Sequence, residues 1–295
     1  MPRPPTPPPA RSRRARPSRK PPHAAACGPA AGRAITARPP VPDRLHRRRR
    51  RGDRRTHRTA HDHPGEPVTP DMTTNPWQQL GDRAPFVVPA DRPHLQAFNA
   101  ALSESRRGPY GLDVSLPPEP HLGLHDAPLV ILLANPGRSE ADDAQYARAE
   151  VRARTLAGIT APKGTPHPWL APDVAAEPGG RWWRRTLAAL LPLGHTYREL
   201  ASKVLAVQFH GYHSPAWHSL PITLPSQAFG FGLVEKAVER GAVIVLLRPR
   251  MDWSVAVPGL GSYARLLRVR SRSTAISPGN LGEAGFKMVA DALAG

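Results

Sequence analysis

Three segments of the chain consist of almost continuous apolar residues: "PLVILLAN" (128–135), "SKVLAVQFH" (202–210) and "GAVIVLLRP" (241–249). Continuous rather than alternating apolar residues are typical of parallel strands that helices cover on both faces. A fourth segment, "RLLRVRSRSTAIS" (265–277), alternates apolar and polar residues, which suits a strand at the edge of a sheet. The pattern therefore predicts a short, mainly parallel central sheet.

Segments with helical periodicity alternate with these strands. They span 139–156 after the first strand, 181–192 before the second, 225–241 before the third and 280–295 at the C-terminus. Strands that alternate with helices of this length predict one three-layer α/β/α domain. Ser139 with Asp142, and Asn280 with Glu283, are each expected to form the capping pair of a helix start.

The first quarter of the chain differs in composition from the rest. Residues 1–71 hold 18 of the 41 Lys and Arg residues, 5 of the 23 acidic residues and 16 of the 38 prolines. Such a segment cannot bury enough apolar surface to offset the entropy of ordering it, so we predict a disordered tail over 1–71 and a single folded domain over 72–295. An Arg-rich arm would add salt-dependent affinity for nucleic acid. The composition also suits a transit peptide, or a segment that is not genuine protein ahead of a true start at Met72.

Cysteine content and hydropathy exclude several classes of protein. Cys27 is the single cysteine, so the predicted domain has no disulfide framework, thiolate metal site or thiol nucleophile. No apolar run of about 18 residues is present, so no membrane span is expected. His210 and His213 form an H-x-x-H pair, but no third ligand is spaced to complete a metal site. We expect a cytoplasmic monomer without metal or cofactor.

Two Gly- and Pro-containing turns follow the first and the last predicted strand. They are "NPG" at 135–137 and "SPGN" at 277–280, and each leads into a predicted helix. Open parallel sheets bind ligands beyond the carboxyl ends of their strands. Free backbone N–H groups at helix starts favour an anion there, such as a phosphate. The two turns therefore predict a ligand site at this edge.

This pair of turns, in an α/β domain of the predicted order, resembles the uracil-DNA glycosylase superfamily. In its mismatch-specific and single-strand-selective branches the first motif reads Gly-x-Asn-Pro-Gly, and the second reads His-x-Ser-Pro-x-Asn or Asn-Pro-Ser-Gly. The resemblance covers Leu129 to Gly295 in the order and spacing of elements. It implies a DNA-binding protein that hydrolyses the N-glycosidic bond of a flipped, uracil-like or deaminated base.

The resemblance also implies roles for the first motif and the second strand. Asn135 would position the water that attacks the sugar C1′. Pro136 and Gly137 would form the turn that lets the backbone approach the flipped base. A base-reading amide is expected near the end of the second strand, where Gln208 and His210 lie.

The second motif would press on the DNA backbone and fill the gap that the flipped base leaves. Its residues here are Ser277, Pro278, Gly279, Asn280 and Leu281, with Leu281 as the apolar wedge. Tyr146 or Trp169, which follow the first motif, could stack on the base. We expect Trp182, Trp183, Trp217 and Trp253 to pack in the core or between helices.

Two departures from the family pattern leave the activity open. Leu133 replaces the first-motif Gly, and Ala275 replaces the His that stabilises negative charge on the departing base. His210, His213 or Arg248 would have to supply that donor. The alternative is a catalytically weak or inactive relative that binds nucleic acid or a nucleotide in the same cleft. A third and more distant alternative is an unrelated α/β enzyme that binds a small phosphorylated ligand at the same edge. Without the second motif, Asn135 would be a turn residue bonded to its own backbone.

Overall fold

The structure, a computed structural model, describes residues 74–247 and 253–295, which lie in one structural unit. The predicted disordered tail over 1–71 lies outside the described residues, and so does Arg248. None of the helices within the described ranges is long and apolar enough to cross a membrane.

A five-stranded sheet forms the centre of the domain. Its strands are β1 His121–Leu122, β2 Leu129–Leu133, β3 Val204–Gln208, β4 Val243–Leu246 and β5 Leu266–Arg268. The order across the sheet is β1-β3-β2-β4-β5. β1 is antiparallel to β3, and all other pairs are parallel. The predicted mainly parallel sheet is confirmed, including the position of β5 at an edge.

The α-helices flank the sheet. In chain order they are α1 Arg92–Ala101, α2 Glu104–Tyr110, α3 Glu140–Ala147, α4 Ala149–Thr160, α5 Pro178–Leu187, α6 Tyr197–Lys203, α7 Gln227–Glu239, α8 Trp253–Ala256, α9 Pro278–Leu281 and α10 Glu283–Ala294. Short 3₁₀ turns lie at Pro76–Gln79, Pro168–Leu170, Pro172–Val174, Ala188–Leu193 and Leu260–Ser262.

Two hydrophobic clusters cover the two faces of the sheet. Successive residues of β2 alternate between them, with Ile131 in one cluster and Val130 and Leu132 in the other. All three side chains are completely buried. Because side chains of a strand point to opposite faces, this alternation requires a covering layer on each side. It explains why the sequence of β2 is apolar at every position, and it gives the three-layer architecture.

The helix boundaries differ from the predictions at two places. The predicted helix over 139–156 divides into α3 and α4 at Arg148, whose backbone is extended. The predicted cap at Asn280 is wrong: Asn280 lies inside α9, and Gly282 precedes α10. The capping box at Ser139 is confirmed, since the Ser139 N–H donates to Asp142 Oδ2 at 2.6 Å.

The strand order places a crevice at the carboxyl ends of the central strands. After β2 the chain continues to β3 on one side of β2, and then to β4 on the other side. Connections that leave in opposite directions separate the loops above the sheet and open a crevice between them. The turn that follows β2 lies at this crevice.

Candidate functional site

A cleft of about 900 Å³ lies at this edge of the sheet. Segments that follow all four parallel strands contribute to its wall. These are the turn 133–139 after β2, Gln208 at the end of β3, Leu247 after β4, and Ser271 with Arg272 after β5. The sequence predicted a ligand site at this edge, and the cleft lies there.

Asn135 lines the cleft with a half-buried side chain in a fixed orientation. Its Nδ2 donates to the Pro136 carbonyl and to Ser214 Oγ, both at 2.9 Å. Because a carbonyl can only accept, the atom that faces Pro136 must be the amide nitrogen. Oδ1 has no hydrogen-bond partner among the described residues. The side chain therefore bonds its own turn and also presents an acceptor for a water or a ligand.

The rest of this turn is held by His213. The two ring nitrogens of His213 lie 2.7 Å from the Gly137 carbonyl and 2.9 Å from the Pro117 carbonyl. The Ser214 N–H donates to the Pro136 carbonyl at 3.3 Å. Both nitrogens are thus occupied by backbone, so His213 has no free nitrogen for a metal or a leaving base. The described ranges contain no group of three or more His, Cys, Asp or Glu side chains that could hold a metal ion.

Gln208 also lines the cleft, and its exposed fraction is 8%. Its side-chain Oε1 is buried without a hydrogen-bond partner. A buried acceptor without a partner costs free energy, so a donor that reached this oxygen would be bound favourably. Gln208 therefore lies at the cleft with an unused acceptor, and its role as a base-reading amide stays a prediction.

Glu119 is a cleft residue that the sequence reasoning missed. Its exposed fraction is 8%, and the Tyr146 hydroxyl donates a hydrogen bond to its Oε1. Burial raises the pKa of the Glu119 carboxyl, an effect that the nearby His213 partly offsets. Pro120, the next residue, accepts from the Gln208 N–H at 2.9 Å, which brings Glu119 to the cleft. No sequence motif surrounds Glu119, so only the pairing of its segment with the end of β3 shows that it lies at the cleft.

Tyr146 does not line the cleft. Its ring is 3% exposed and packs edge-on against Trp169 and His213, with centroids 6.0 and 5.9 Å apart. Tyr146 therefore supports Glu119 and the cleft wall from behind. It does not occupy the position at the cleft that stacking on a base would require.

Four tryptophans line the cleft: Trp169, Trp182, Trp183 and Trp217. Trp169 and Trp183 are almost fully buried, whereas Trp182 and Trp217 are half-buried. Trp182 packs edge-on against Trp183 with ring centroids 4.8 Å apart. The prediction that Trp182 and Trp217 only pack is thus incomplete, because their exposed ring parts form an aromatic wall.

His210 lies against Trp217 rather than on the cleft wall. The two rings stack with centroids 5.1 Å apart and planes inclined by 22°. Burial lowers the pKa of His210 to about 3, so the ring is neutral at pH 7. His210 is not among the residues that line the cleft. It serves as a support for Trp217.

The second motif holds a loop and does not reach the cleft itself. Asn280 is 4% exposed, and its Oδ1 accepts from the Ser271 N–H at 3.1 Å and from Ser271 Oγ at 2.9 Å. Its Nδ2 donates to the carbonyls of Ser273 and Ala275, both at 2.9 Å. All bonding capacity of this amide is used inside the protein. Asn280 therefore fixes the loop that brings Ser271 and Arg272 to the cleft.

The other second-motif residues lie away from the cleft wall. Ser277, Pro278 and Gly279 are not among the lining residues. Leu281 is 7% exposed and belongs to the hydrophobic core, so the expected wedge is a core residue. Leu281 is the last residue of α9, directly before α10, and its side chain packs inward. The motif alone does not reveal this contact.

Two arginines set the charge at the rim. Arg138 bonds Asp113 at 2.7 Å and Asp143 at 2.6 Å, so its charge is neutralised locally. Arg272 lines the cleft, is exposed and has no ion pair with any described residue. Arg272 is thus available to an anionic ligand.

Comparison with known proteins gives no further assignment. No protein-family model, no curated protein and no solved structure matches this chain. The resemblance to the uracil-DNA glycosylases stays a prediction based on two short motifs.

Proposed function

We propose that the cleft binds a base of DNA and that the protein hydrolyses the N-glycosidic bond of a uracil-like or deaminated base. The observation that carries this proposal is the fixed orientation of Asn135. Pro136 and Ser214 hold Nδ2, which leaves Oδ1 as a free acceptor in the cleft. An acceptor in a fixed position can orient a water molecule for attack on the sugar carbon.

The remaining cleft residues fit a base as the ligand. Hydrolysis of a glycosidic bond passes through an oxocarbenium-like sugar, and the base must leave the stack to reach the site. The Gln208 amide can bond the polar edge of the base, and the aromatic wall can stack on its face. A neutral amide is a poor general base, so Asn135 would orient water rather than ionise it.

A second candidate is a protein that binds the base without cleaving it. The observation that favours it is that none of the described residues presents a free imidazole nitrogen to the cleft. His213 uses both nitrogens on backbone carbonyls, His210 lies behind Trp217, and Ala275 has no donor side chain. If no other group donates to the departing base, the transition state loses an electrostatic contribution of several kcal/mol.

The test is an excision assay on oligonucleotides that contain uracil, hypoxanthine or xanthine, carried out with the parent protein and with Asn135→Ala. We expect Asn135→Ala to lower excision at least tenfold, with a melting temperature close to that of the parent, because a rim amide contributes little packing. Asn99→Ala is the matched control, since Asn99 is a half-buried asparagine outside the cleft.

The outcomes separate the two candidates. Excision by Asn135→Ala at the parental rate would exclude the proposed role of Asn135. A parent protein that binds these oligonucleotides but releases no base would favour the binding-only candidate.

A further inference from the structure

Three arginines lie on alternate residues from the end of β5 to the cleft: Arg268, Arg270 and Arg272, here called the arginine strip. All three are exposed, and none forms an ion pair with a described residue. Three other arginines of the described residues, Arg138, Arg148 and Arg154, do bond carboxylates, at 2.6 to 2.8 Å. The strip is therefore a set of free positive charges that ends inside the cleft.

The strip and the aromatic wall meet in the cleft. Arg272 lines the cleft together with the half-buried rings of Trp182 and Trp217. A volume of about 900 Å³ is at the upper end of the range for small-molecule sites, so it has room for more than one nucleotide. A basic track that leads to exposed aromatic rings is the arrangement that binds single-stranded nucleic acid, because the track follows the phosphates and each ring stacks on a base.

The described part of the cleft rim offers little to open a duplex. Extruding a base from a duplex costs unstacking and unpairing energy, and apolar wedges commonly fill the gap. Leu281 is buried in the core. The large hydrophobic side chains that are more than a third exposed among the described residues are Leu193, Ile222 and Val255, and none of them lines the cleft. A strand that is already unpaired needs no wedge.

We propose that the arginine strip and the aromatic wall bind single-stranded nucleic acid, with the backbone along Arg268, Arg270 and Arg272 and bases stacked on Trp182 and Trp217. This inference rests on the proposed nucleic-acid function and adds the kind of partner. DNA and RNA single strands share the chemistry on which it depends. A phosphate-rich strand enters along β5, and its bases enter the cleft.

The test measures binding of labelled strands by fluorescence anisotropy. The strands are about 15 nucleotides long and contain only undamaged bases, as single-stranded DNA, single-stranded RNA and duplex DNA. The full chain is used, so the basic residues of 1–71 contribute equally to every variant. The strip variant is Arg268→Gln/Arg270→Gln/Arg272→Gln. Its control is Arg92→Gln/Arg198→Gln/Lys236→Gln, which removes the same charge from exposed residues of α1, α6 and α7.

We expect a single strand, DNA or RNA, to bind at least about tenfold more tightly than the duplex. The strip variant should lose about two units of the slope of log affinity against log salt, since each phosphate contact on a single strand contributes about 0.7. The control should keep that slope within about half a unit. Trp182→Ala should weaken binding about tenfold without changing the slope, and Trp182→Phe should retain most of the affinity.

Three results would overturn the inference: a duplex that binds as tightly as the single strand, a strip variant that behaves as its control, or a Trp182→Ala protein with parental affinity. Melting temperatures of all variants show that each is folded. Because the strands contain no damaged base, this assay measures binding separately from excision. A protein that binds them through the strip but releases no base from the uracil-, hypoxanthine- or xanthine-containing oligonucleotides would refute the proposed enzymatic function and leave this inference standing.

Discussion

Substitution of Asn280 tests whether the second motif contacts a ligand or holds a loop. Its side chain makes four hydrogen bonds, two to Ser271 and one each to the carbonyls of Ser273 and Ala275. A hydrogen bond inside a protein contributes about 1 kcal/mol net, so Asn280→Ala removes about 4 kcal/mol if no group finds a new partner. Ser271 and Ser273 are exposed and can bond water after the loop relaxes. We therefore expect a loss of about 2–3 kcal/mol.

The assay is thermal unfolding followed by circular dichroism. For a domain of this size, 1 kcal/mol shifts the melting temperature by about 2–4 °C, so Asn280→Ala should melt roughly 5–10 °C below the parent. Asn280→Asp should lose at least as much stability, because it places a carboxylate oxygen where Nδ2 donates to two carbonyls. The control is Gly279→Ala, an exposed neighbour whose added Cβ would contact nothing within 4 Å.

A melting temperature of Asn280→Ala within about 2 °C of the parent would refute the structural role argued for this amide. If the same variant had also lost binding of nucleic acid, Asn280 would act on the ligand, as the resemblance implies. A stability loss together with weaker strand binding would instead fit a loop that no longer holds Arg272 at the cleft.

Two further predictions concern the interior. Burial lowers the pKa of His167 and His210 to about 3 each and that of His125 to about 4. In the unfolded chain these histidines take up protons below about pH 6.5, whereas in the folded protein they stay neutral. The free energy of unfolding is therefore highest above that pH and falls as the pH drops toward about 3. In urea unfolding, three such residues should lower the free energy of unfolding by about 4 kcal/mol between about pH 7.5 and 5.5. His167→Gln should reduce that difference by about a third, and an unchanged pH dependence would contradict the buried neutral ring. Leu281→Ala should lower the free energy of unfolding by about 2–4 kcal/mol, because it leaves a cavity in the core. If the variant instead keeps the parental stability but excises more slowly, Leu281 acts as the wedge that the resemblance implies.

Local sequence patterns determined the sheet and the edge at which the cleft lies. The apolar runs in β2, β3 and β4 follow directly from burial on both faces, and the alternation near β5 follows from an edge position. The position of Asn135 at the rim is equally local, because a residue that follows a central parallel strand must emerge at the carboxyl edge.

Contacts between distant segments decided the composition of the site. Asn280 and Leu281 carry a motif, yet their burial depends on the loop 271–275 and on the packing of α10. Glu119 carries no motif and reaches the cleft only because the segment before β1 pairs with the end of β3. A sequence pattern records the period of burial within one element, but it does not record which elements meet. The tertiary structure alone therefore determined which polar side chains face the cleft and which are used within the protein.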